Sequence, residues 1–323
     1  MNDKFVPKIF FRNPILQSVF GSLKLRNMGS NPMSGCAKET IVDGGKGVRL
    51  LGYYSKQPGA SSRGTVLFIH GWEGSSRSSY VVSTAKYLYK NKFDIFRLNL
   101  RDHGDSHHLN KGLFKSTLIE ETFNAVKNVA AMNSKRPFFL VGFSLGGNFA
   151  LRIALKHRKE KIKNLRHVAA ISPVLDPMKS TESTERITVI RKYFIKKWKR
   201  SLIKKQALFP ETYTFKGLNE MNSLTGMMDT FVPLYTEYKT VNAYYAEYTL
   251  LNNVFSNLNI PVTIISSEDD PIIPVQDVYN LRDNKYLQRL VQPYGGHNGF
   301  FDFFPYRVWY EEKICKIFGQ YSG

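Results

Sequence analysis

The sequence predicts an α/β protein with a mostly parallel central sheet, helices on both faces and an inserted helical cap. Short apolar runs of strand length alternate with segments of helical periodicity, which is typical of parallel strands covered on two faces. One of these runs, 138–143, ends in Gly142-x-Ser144-x-Gly146 and continues into a helical segment. From about 174 to 258 the alternation stops and the pattern is helical only.

Length and composition fit one large α/β domain that carries an insertion. The chain has 323 residues, of which 42% are hydrophobic and 22% are charged. These values are ordinary for a globular protein and argue against the disordered and collagen-like classes. The predicted division is an N-terminal arm at 1–35, a core at 36–173 and 259–323, and a helical cap at 174–258.

The charge and the cysteines bear on partners and compartment. A formal net charge of +20 permits attraction to anionic lipid, nucleic acid or acidic substrates. The aromatic and basic patterns of nucleic-acid modules are absent, so we expect no nucleic-acid partner. Cys36 and Cys315 fit neither a disulfide framework nor a spaced metal site. Without a visible secretory signal or an apolar span of about 18 residues, we expect a cytoplasmic protein.

The N-terminal elements begin with an irregular arm that contains three prolines. A mildly amphipathic turn at Ile15, Leu16, Val19 and Phe20 is expected to dock on the core, with membrane contact as the alternative. Residues 39–54 then predict two strands joined by a turn at 43–47, because branched and aromatic residues flank its glycines.

The next strand, at 65–70, stops at a glycine-containing turn, Gly71-Trp72-Glu73-Gly74. Such a turn can aim a backbone N–H at the oxyanion that forms beside a nucleophile in acyl transfer. Trp72 is the predicted donor, together with Leu145, the residue after Ser144. The neighbouring His70 is expected to order the turn through hydrogen bonds.

A histidine-rich loop follows a helix at 79–91 and a strand at 93–100. Its histidines, at 103, 107 and 108, lack helical i, i+4 spacing and nearby thiolates. We therefore expect a polar loop and no metal site. A helix at 118–132 leads to the strand at 138–143.

The turn after that strand predicts a nucleophile, Ser144. A serine hydroxyl is a weak nucleophile, so it must be held at a sharp bend and exposed to a base. Gly142 and Gly146 have no Cβ to obstruct the close approach of strand and helix. Apolar residues of 149–155 fall mostly on one face, as in a helix, and a strand at 167–172 follows.

The cap segment contains a basic stretch, 186–205, that has no acidic residue. Its apolar residues recur at helical spacing, at positions 187, 190, 194, 198 and 202. A basic amphipathic helix can lie on an anionic membrane surface, or it can pack its apolar side over the active site. Both alternatives stay open at this point.

A carboxylate and a histidine complete the predicted catalytic set. The strand at 260–266 is followed by Asp269 and Asp270, and a carboxylate there can hold a histidine in the correct tautomer. Asp270 is the predicted acid, with Asp269 and Asp176 as alternatives. His297, in a glycine-rich loop, is the predicted base. The order Ser144, Asp270, His297 is that of the α/β-hydrolase triad.

With these residues the chain resembles the α/β-hydrolase superfamily, and more closely its predicted-esterase branch. The matching blocks are H-G-W-E-G-S-S at 70–76, N-L-R-D-H-G-D at 99–105, G-F-S-L-G-G-N at 142–148, D-P at 270–271 and G-G-H-N-G-F at 295–300. The resemblance implies an eight-stranded hydrolase sheet, a cap over the nucleophile and cofactor-free hydrolysis of acyl esters. Trp72 departs from the branch, which commonly has an aliphatic residue there, and so does the lysine-rich cap helix.

We therefore predict a serine hydrolase of the carboxylesterase type, acting on a small acyl ester that can be lipid-like. An acyltransferase with the same triad and a catalytically idle binding protein on the same fold are the alternatives. Peripheral contact with an anionic membrane is compatible with the basic stretch. Acyl length, the alcohol and the oligomeric state are left open.

Overall fold

A computed structural model describes residues 4–27, 29–59, 61–303 and 306–321. Its main sheet contains β1 (Lys38–Gly45), β2 (Val48–Ser55), β3 (Thr65–Ile69), β4 (Asp94–Leu98), β5 (Phe138–Phe143), β6 (Leu165–Ile171), β7 (Val262–Ser267) and β8 (Leu287–Gln292). The strand order is β1-β2-β4-β3-β5-β6-β7-β8. β2 pairs antiparallel with β1 and β4, and the other neighbours pair in parallel. The predicted mostly parallel sheet is confirmed.

Helices cover the sheet and fill its long connections. They are α1 (Pro14–Ser22), α2 (Pro32–Gly35), α3 (Ser79–Lys90), α4 (Ile119–Ala131), α5 (Leu145–Lys156), α6 (Pro177–Arg186), α7 (Thr188–Leu208), α8 (Leu224–Tyr235), α9 (Val241–Ala246), α10 (Val275–Tyr279) and α11 (Trp309–Gly319). A short ribbon joins β9 (Phe301–Asp302) to β10 (Arg307–Val308).

Two apolar cores lie on opposite faces of the sheet. Successive side chains of a strand point to opposite faces, so Leu67 of β3 belongs to one core and Phe68 to the other. Helices α4 and α5 complete the first core, and α3 and α11 complete the second. The predicted strands and helices up to residue 172 are found within a few residues, whereas β8, α10 and α11 were not predicted.

The N-terminal arm docks on the core through an unexpected face of α1. Gln17 and Gly21 are buried there, whereas Leu16 and Val19 are each 39% exposed. The predicted docking therefore occurs, and Ile15 and Phe20 pack against core residues as expected, whereas Leu16 and Val19 are mostly turned to the surface. The first three residues and Met28 of the predicted arm lie outside the described residues.

Four helices, α6 to α9, occupy the connection from β6 to β7. They have an apolar core of their own, which includes Ile195, Leu202, Met227 and Phe231. Other apolar side chains of these helices, among them Phe194, Trp198 and Met228, lie near Ser144 at the carboxyl end of β5. The limits of a separate cap unit at 174 and 258 stay a prediction.

Candidate active site

The site is organised around the turn between β5 and α5, where Ser144 has φ 54° and ψ −118°. Positive φ strains a residue that has a side chain, and such strain is frequent at functional sites. An added Cβ at Gly142 would lie 2.1 Å from the carbonyl oxygen of Gly146, and one at Gly146 would lie 2.3 Å from that of Ile69. Only glycine allows β5, α5 and β3 to approach this closely.

The structure brings Asp270 and His297 together beyond the end of β7. Asp270 Oδ2 lies 3.0 Å from His297 Nδ1, and the two side chains are 1% and 10% exposed. Asp270 Oδ1 also accepts hydrogen bonds from the backbone N–H groups of Ile272 and Ile273, both at 2.9 Å. These bonds fix the carboxylate, so His297 donates through Nδ1 and keeps Nε2 as its basic nitrogen.

The two alternative acids have other partners. Asp269 Oδ1 accepts a hydrogen bond from the N–H of Gly296 at 2.8 Å, which holds the loop before His297. Asp176 Oδ1 accepts from the N–H groups of Met178 and Lys179 and so caps the start of α6. Asp270 is the one of the three carboxylates that contacts the histidine in this structure.

The turn after β3 lies against Ser144. The N–H groups on either side of Trp72 have partners, since Gly71 donates to Tyr80 Oη at 3.0 Å and Glu73 donates to His103 Nε2 at 3.1 Å. An added Cβ at Gly71 would lie 3.2 Å from Ser144 Cβ. The backbone of Trp72, the predicted oxyanion donor, is therefore held close to the nucleophile.

His70 orders this turn, as expected. Its Nδ1 donates to Gly71 O at 2.7 Å, and its Nε2 accepts from the N–H of Leu100 at 3.1 Å. Burial lowers the pKa of the imidazole well below the ordinary value, so the ring is neutral. His70 thus links the ends of β3 and β4.

The histidine-rich loop also uses its rings as structural links. His103 donates through Nδ1 to Arg101 O at 2.7 Å, and burial lowers its pKa to about 4. His107 Nε2 lies 2.9 Å from Ser201 Oγ of α7, which ties the loop to the cap helices. Within the ranges that the structure describes, no three His, Cys, Asp or Glu side chains are grouped as metal ligands.

A cavity of about 140 Å³ opens between the strand ends and the helices above them. Ser144 and His297 line it, together with Trp72 and Leu145. The helices α6 to α9 contribute Pro177, Ser180, Thr181, Thr184, Phe194, Trp198, Leu224, Met228, Tyr244 and Tyr245. The wall is mainly apolar, as in sites that bind small organic ligands.

Trp72 connects the predicted oxyanion turn to α7. Its ring stacks on Phe194 at a centroid distance of 5.4 Å and meets Trp198 edge-on at 5.2 Å. Of the apolar cap side chains, Trp198 and Met228 line the cavity. Met227 and Phe231 instead belong to the apolar core formed by the cap helices.

Several cap contacts were not predicted from the sequence. Asn148 Nδ2, behind the nucleophile, donates to Val174 O at 2.8 Å and to Tyr248 O at 2.7 Å. Tyr244 Oη accepts from the N–H of Ser116 at 2.7 Å, and Tyr245 Oη donates to Thr181 Oγ1 at 3.0 Å. Nothing in the local sequence pattern indicated the partners of these side chains.

Comparison with known proteins supports a hydrolase. A family model described as the alpha/beta hydrolase fold matches residues 64–304. Phospholipase ABHD3 of Mus musculus is 23% identical over 267 residues, which are 81% of this chain and 64% of that protein. ABHD3 of Homo sapiens is 22% identical over the same shares. The chain thus spans somewhat less than two thirds of the length of these relatives.

Solved structures show the same fold. The esterase Pf2001 of Pyrococcus furiosus superposes with a TM-score of 0.57 and 18% identity, covering 92% of this chain and 95% of the esterase. The 2,6-dihydroxy-pseudo-oxynicotine hydrolase gives 0.59 at 14% identity, covering 97% and 76%. Among the described residues, no helix combines the length and apolarity needed to cross a bilayer.

Proposed function

Because the chain belongs to the α/β-hydrolase family, we propose that it cleaves carboxylic esters through Ser144, His297 and Asp270. The observation that carries the proposal is that Ser144, at its strained turn, and His297, which is bonded to Asp270, line one cavity. A nucleophile, a base and a group that orients the base are the three parts that acyl-enzyme chemistry needs.

In the proposed mechanism, Nε2 of His297 takes the proton of the Ser144 hydroxyl as its oxygen attacks the ester carbonyl. The imidazolium is stabilised by Asp270 and then protonates the departing alcohol. Water attacks the acyl-enzyme by the same route and releases the acid. The N–H groups of Trp72 and Leu145 are the proposed donors to the oxyanion, since Leu145 begins α5 and the first N–H groups of a helix have no intrahelical partner.

The first test is the reaction of Ser144 with a fluorophosphonate, followed by a panel of p-nitrophenyl esters from acetate to palmitate. Ser144→Ala should abolish labelling and lower turnover by up to about a millionfold, while the circular dichroism spectrum stays unchanged. A serine variant that keeps most of the wild-type rate would remove the proposal. Products formed in the presence of an added alcohol or amine separate hydrolysis from acyl transfer.

We further propose that the natural ester is lipid-like. The mouse relative is named a phospholipase, ABHD3. The cavity wall supports the same substrate class, because Phe194, Trp198 and Met228 offer apolar surface next to Ser144. Turnover of the ester panel should therefore rise from acetate towards longer chains, and a strict preference for acetate would contradict this assignment.

The outer side of α7 supports contact with an anionic membrane. A groove there is lined by five cationic residues, Arg191, Lys192, Lys196, Lys199 and Arg200, together with Ile195, Ile203, Asn219 and Asn222. On the same helix, Val189 is 66% exposed and Tyr193 is 48% exposed. Cationic and apolar side chains together suit the headgroup region of a bilayer. The cytoplasmic location expected from the sequence stays a prediction.

Vesicle binding tests this contact. Changing Lys192, Lys196 and Arg200 to glutamine should weaken binding to phosphatidylserine vesicles by on the order of 100-fold at low salt, and the difference should shrink as salt rises. Lys197 is left unchanged because its Nζ donates to Glu73 O at 2.7 Å, beside the predicted oxyanion turn.

The matched control changes Lys159, Lys161 and Lys163, which are equally cationic and exposed but precede β6 at the opposite edge of the sheet. If both triple variants lose the same affinity, the attraction depends on net charge and not on α7. Turnover of a short soluble ester should stay at the wild-type value in both.

A further inference from the structure

The N-terminal arm contacts the loop that carries His297. Ser18 Oγ, in α1, accepts a hydrogen bond from the backbone N–H of His297 at 2.8 Å. The same hydroxyl donates to Pro14 O at 2.7 Å, which orients its lone pairs towards the loop. The predicted base is therefore held from two sides, by Asp270 at its ring and by the arm at its backbone.

Glycines allow this contact to be so close. An added Cβ at Gly296, where φ is +51°, would lie 2.5 Å from Pro14 O and 2.9 Å from Ser18 Oγ. At Gly299 it would lie 2.5 Å from Gln17 O, and at Gly21 it would lie 3.1 Å from the Cα of Gly299. Because Gly296 and Gly299 lack side chains, the loop that carries His297 can pack directly against α1.

Gln17 binds the chain just after the loop. It is 0% exposed, its Nε2 donates to Phe301 O at 2.9 Å, and its Oε1 accepts from the N–H of Phe301 at 3.1 Å. Nε2 also donates to Phe11 O at 2.7 Å. The buried amide of Gln17 therefore bonds both the N–H and the carbonyl group of Phe301, four positions after His297, as the backbone of a paired strand would.

Arg26 holds the residue next to the base. Its Nη1 donates to Asn298 O and to Gly21 O, both at 3.0 Å, and its Nη2 donates to Tyr310 Oη at 2.6 Å. Arg26 is 4% exposed, and its Nη2 lies 3.7 Å from Glu311 of α11. Asn298 has φ 62°, a strained backbone conformation, and the bond from Arg26 to its carbonyl oxygen helps to hold it there.

We propose that Ser18, Gln17 and Arg26 are positioning residues for His297. The inference rests on the proposed function, because it gives the arm a role in aligning the general base with Ser144. A displacement of about 1 Å at a reacting group can cost on the order of 100-fold in rate. The arm thus acts on catalysis through the loop that carries His297. None of its described residues lines the cavity.

The decisive variant is Ser18→Ala, with Ser18→Thr as the conservative rescue and Ser22→Ala as the matched control. Ser22 lies one turn further along α1, is exposed and bonds within the helix, where its Oγ donates to Ser18 O at 3.4 Å. Ser18→Ala should lower kcat for a short soluble ester by about 10-fold or more with little change in KM, because the base moves and the cavity does not. Ser18→Thr should restore the rate, and Ser22→Ala should match wild type.

Hydrogen exchange of the segment 293–303 provides a readout that does not depend on activity. Ser18→Ala should speed exchange there, and Ser22→Ala should leave it unchanged. A loss of kcat without faster exchange, or faster exchange with an unchanged kcat, overturns the positioning role. If Gln17→Leu behaves like Ser22→Ala in both measurements, the role is also overturned. If the wild-type protein has no esterase activity and Ser18→Ala still speeds exchange, the proposed function is removed and the bond to Ser18 is only a structural contact.

Discussion

Replacing Lys205 with methionine should destabilise the protein, although this lysine belongs to a strongly basic helix. Lys205 is 0% exposed. Its Nζ donates to Asp102 Oδ1 at 2.7 Å and to the carbonyl oxygens of Asn110 and Gly112 at 2.6 and 3.1 Å. Methionine keeps an unbranched stem of similar length but removes all of these donors, so the link between α7 and the loop after β4 is lost.

The magnitude follows from the burial of the pair. Removing one partner of a buried ion pair typically costs about 3–5 kcal/mol, because the other charge is left uncompensated. With about 2.1 cal/mol/K of unfolding entropy per residue, each kcal/mol of destabilisation lowers the Tm of a 323-residue chain by roughly 1.5 °C. The expected fall in Tm for K205M is therefore about 4–7 °C. Burial raises the pKa of Asp102 to about 6, so protonation of the carboxylate favours the lower end of this range.

Urea and thermal unfolding of K205M measure the effect, and K204M is the matched control. Lys204 is the next residue along α7, is exposed, and places its Nζ 3.4 Å from Gly104 O at the surface. The control should stay within about 0.5 kcal/mol of wild type. Equal urea midpoints for K204M and K205M would refute the reasoning, since a buried and a surface lysine would then contribute alike.

Three further predictions concern the site and its surroundings. Asp270→Asn should lower turnover by about 10⁴-fold, as the equivalent change does in a serine protease. Asp176→Asn should retain turnover and cost little stability, because asparagine caps a helix about as well as aspartate; a loss of turnover confined to Asp176→Asn would make Asp176 the acid. Burial raises the pKa of the Glu73 carboxyl to about 8, so the folded state loses stability as pH rises from about 4.5 towards 8. Urea titrations should therefore find Glu73→Gln more stable than wild type by on the order of 2 kcal/mol at pH 8 and by much less at pH 5. Gly146→Ala places a Cβ 2.3 Å from Ile69 O, so it should lower the free energy of unfolding by about 1–3 kcal/mol and remove most of the turnover. Normal kinetics in this variant would contradict the geometry of the turn.

The central strands and helices were predictable because their signals are local. β3, β5 and β7 are buried along their whole length, β3 and β5 are almost entirely apolar in sequence, and α5 keeps its apolar residues mostly on one face. β8 was missed because most of its residues are only half-buried, so it lacks such a run. The pairing of Asp270 with His297 was also predictable, because the order Ser144, Asp270, His297 is that of the α/β-hydrolase triad.

The role of the arm and the burial of Lys205 had no comparable signal. The bond from His297 to Ser18 joins residues 279 positions apart, and a single serine in an irregular segment does not indicate its partner. Lys205 lies beside Lys204 in a run of cationic residues, and periodicity does not show that one ends on a buried carboxylate and the other in water. Both features depend on tertiary contacts that place a polar atom opposite a particular partner.

These contacts give α7 three different environments, and that combination predicts how its variants should differ. Phe194 and Trp198 line the cavity beside Ser144, Lys205 is anchored to the core, and Lys196 faces the outer groove. A change on the outer face leaves the anchor and the cavity wall intact, so we expect it to alter vesicle binding alone. Loss of the anchor frees the same helix that carries the aromatic wall. K205M should therefore change the chain-length preference of the proposed esterase as well as its stability, which surface variants of α7 should not do.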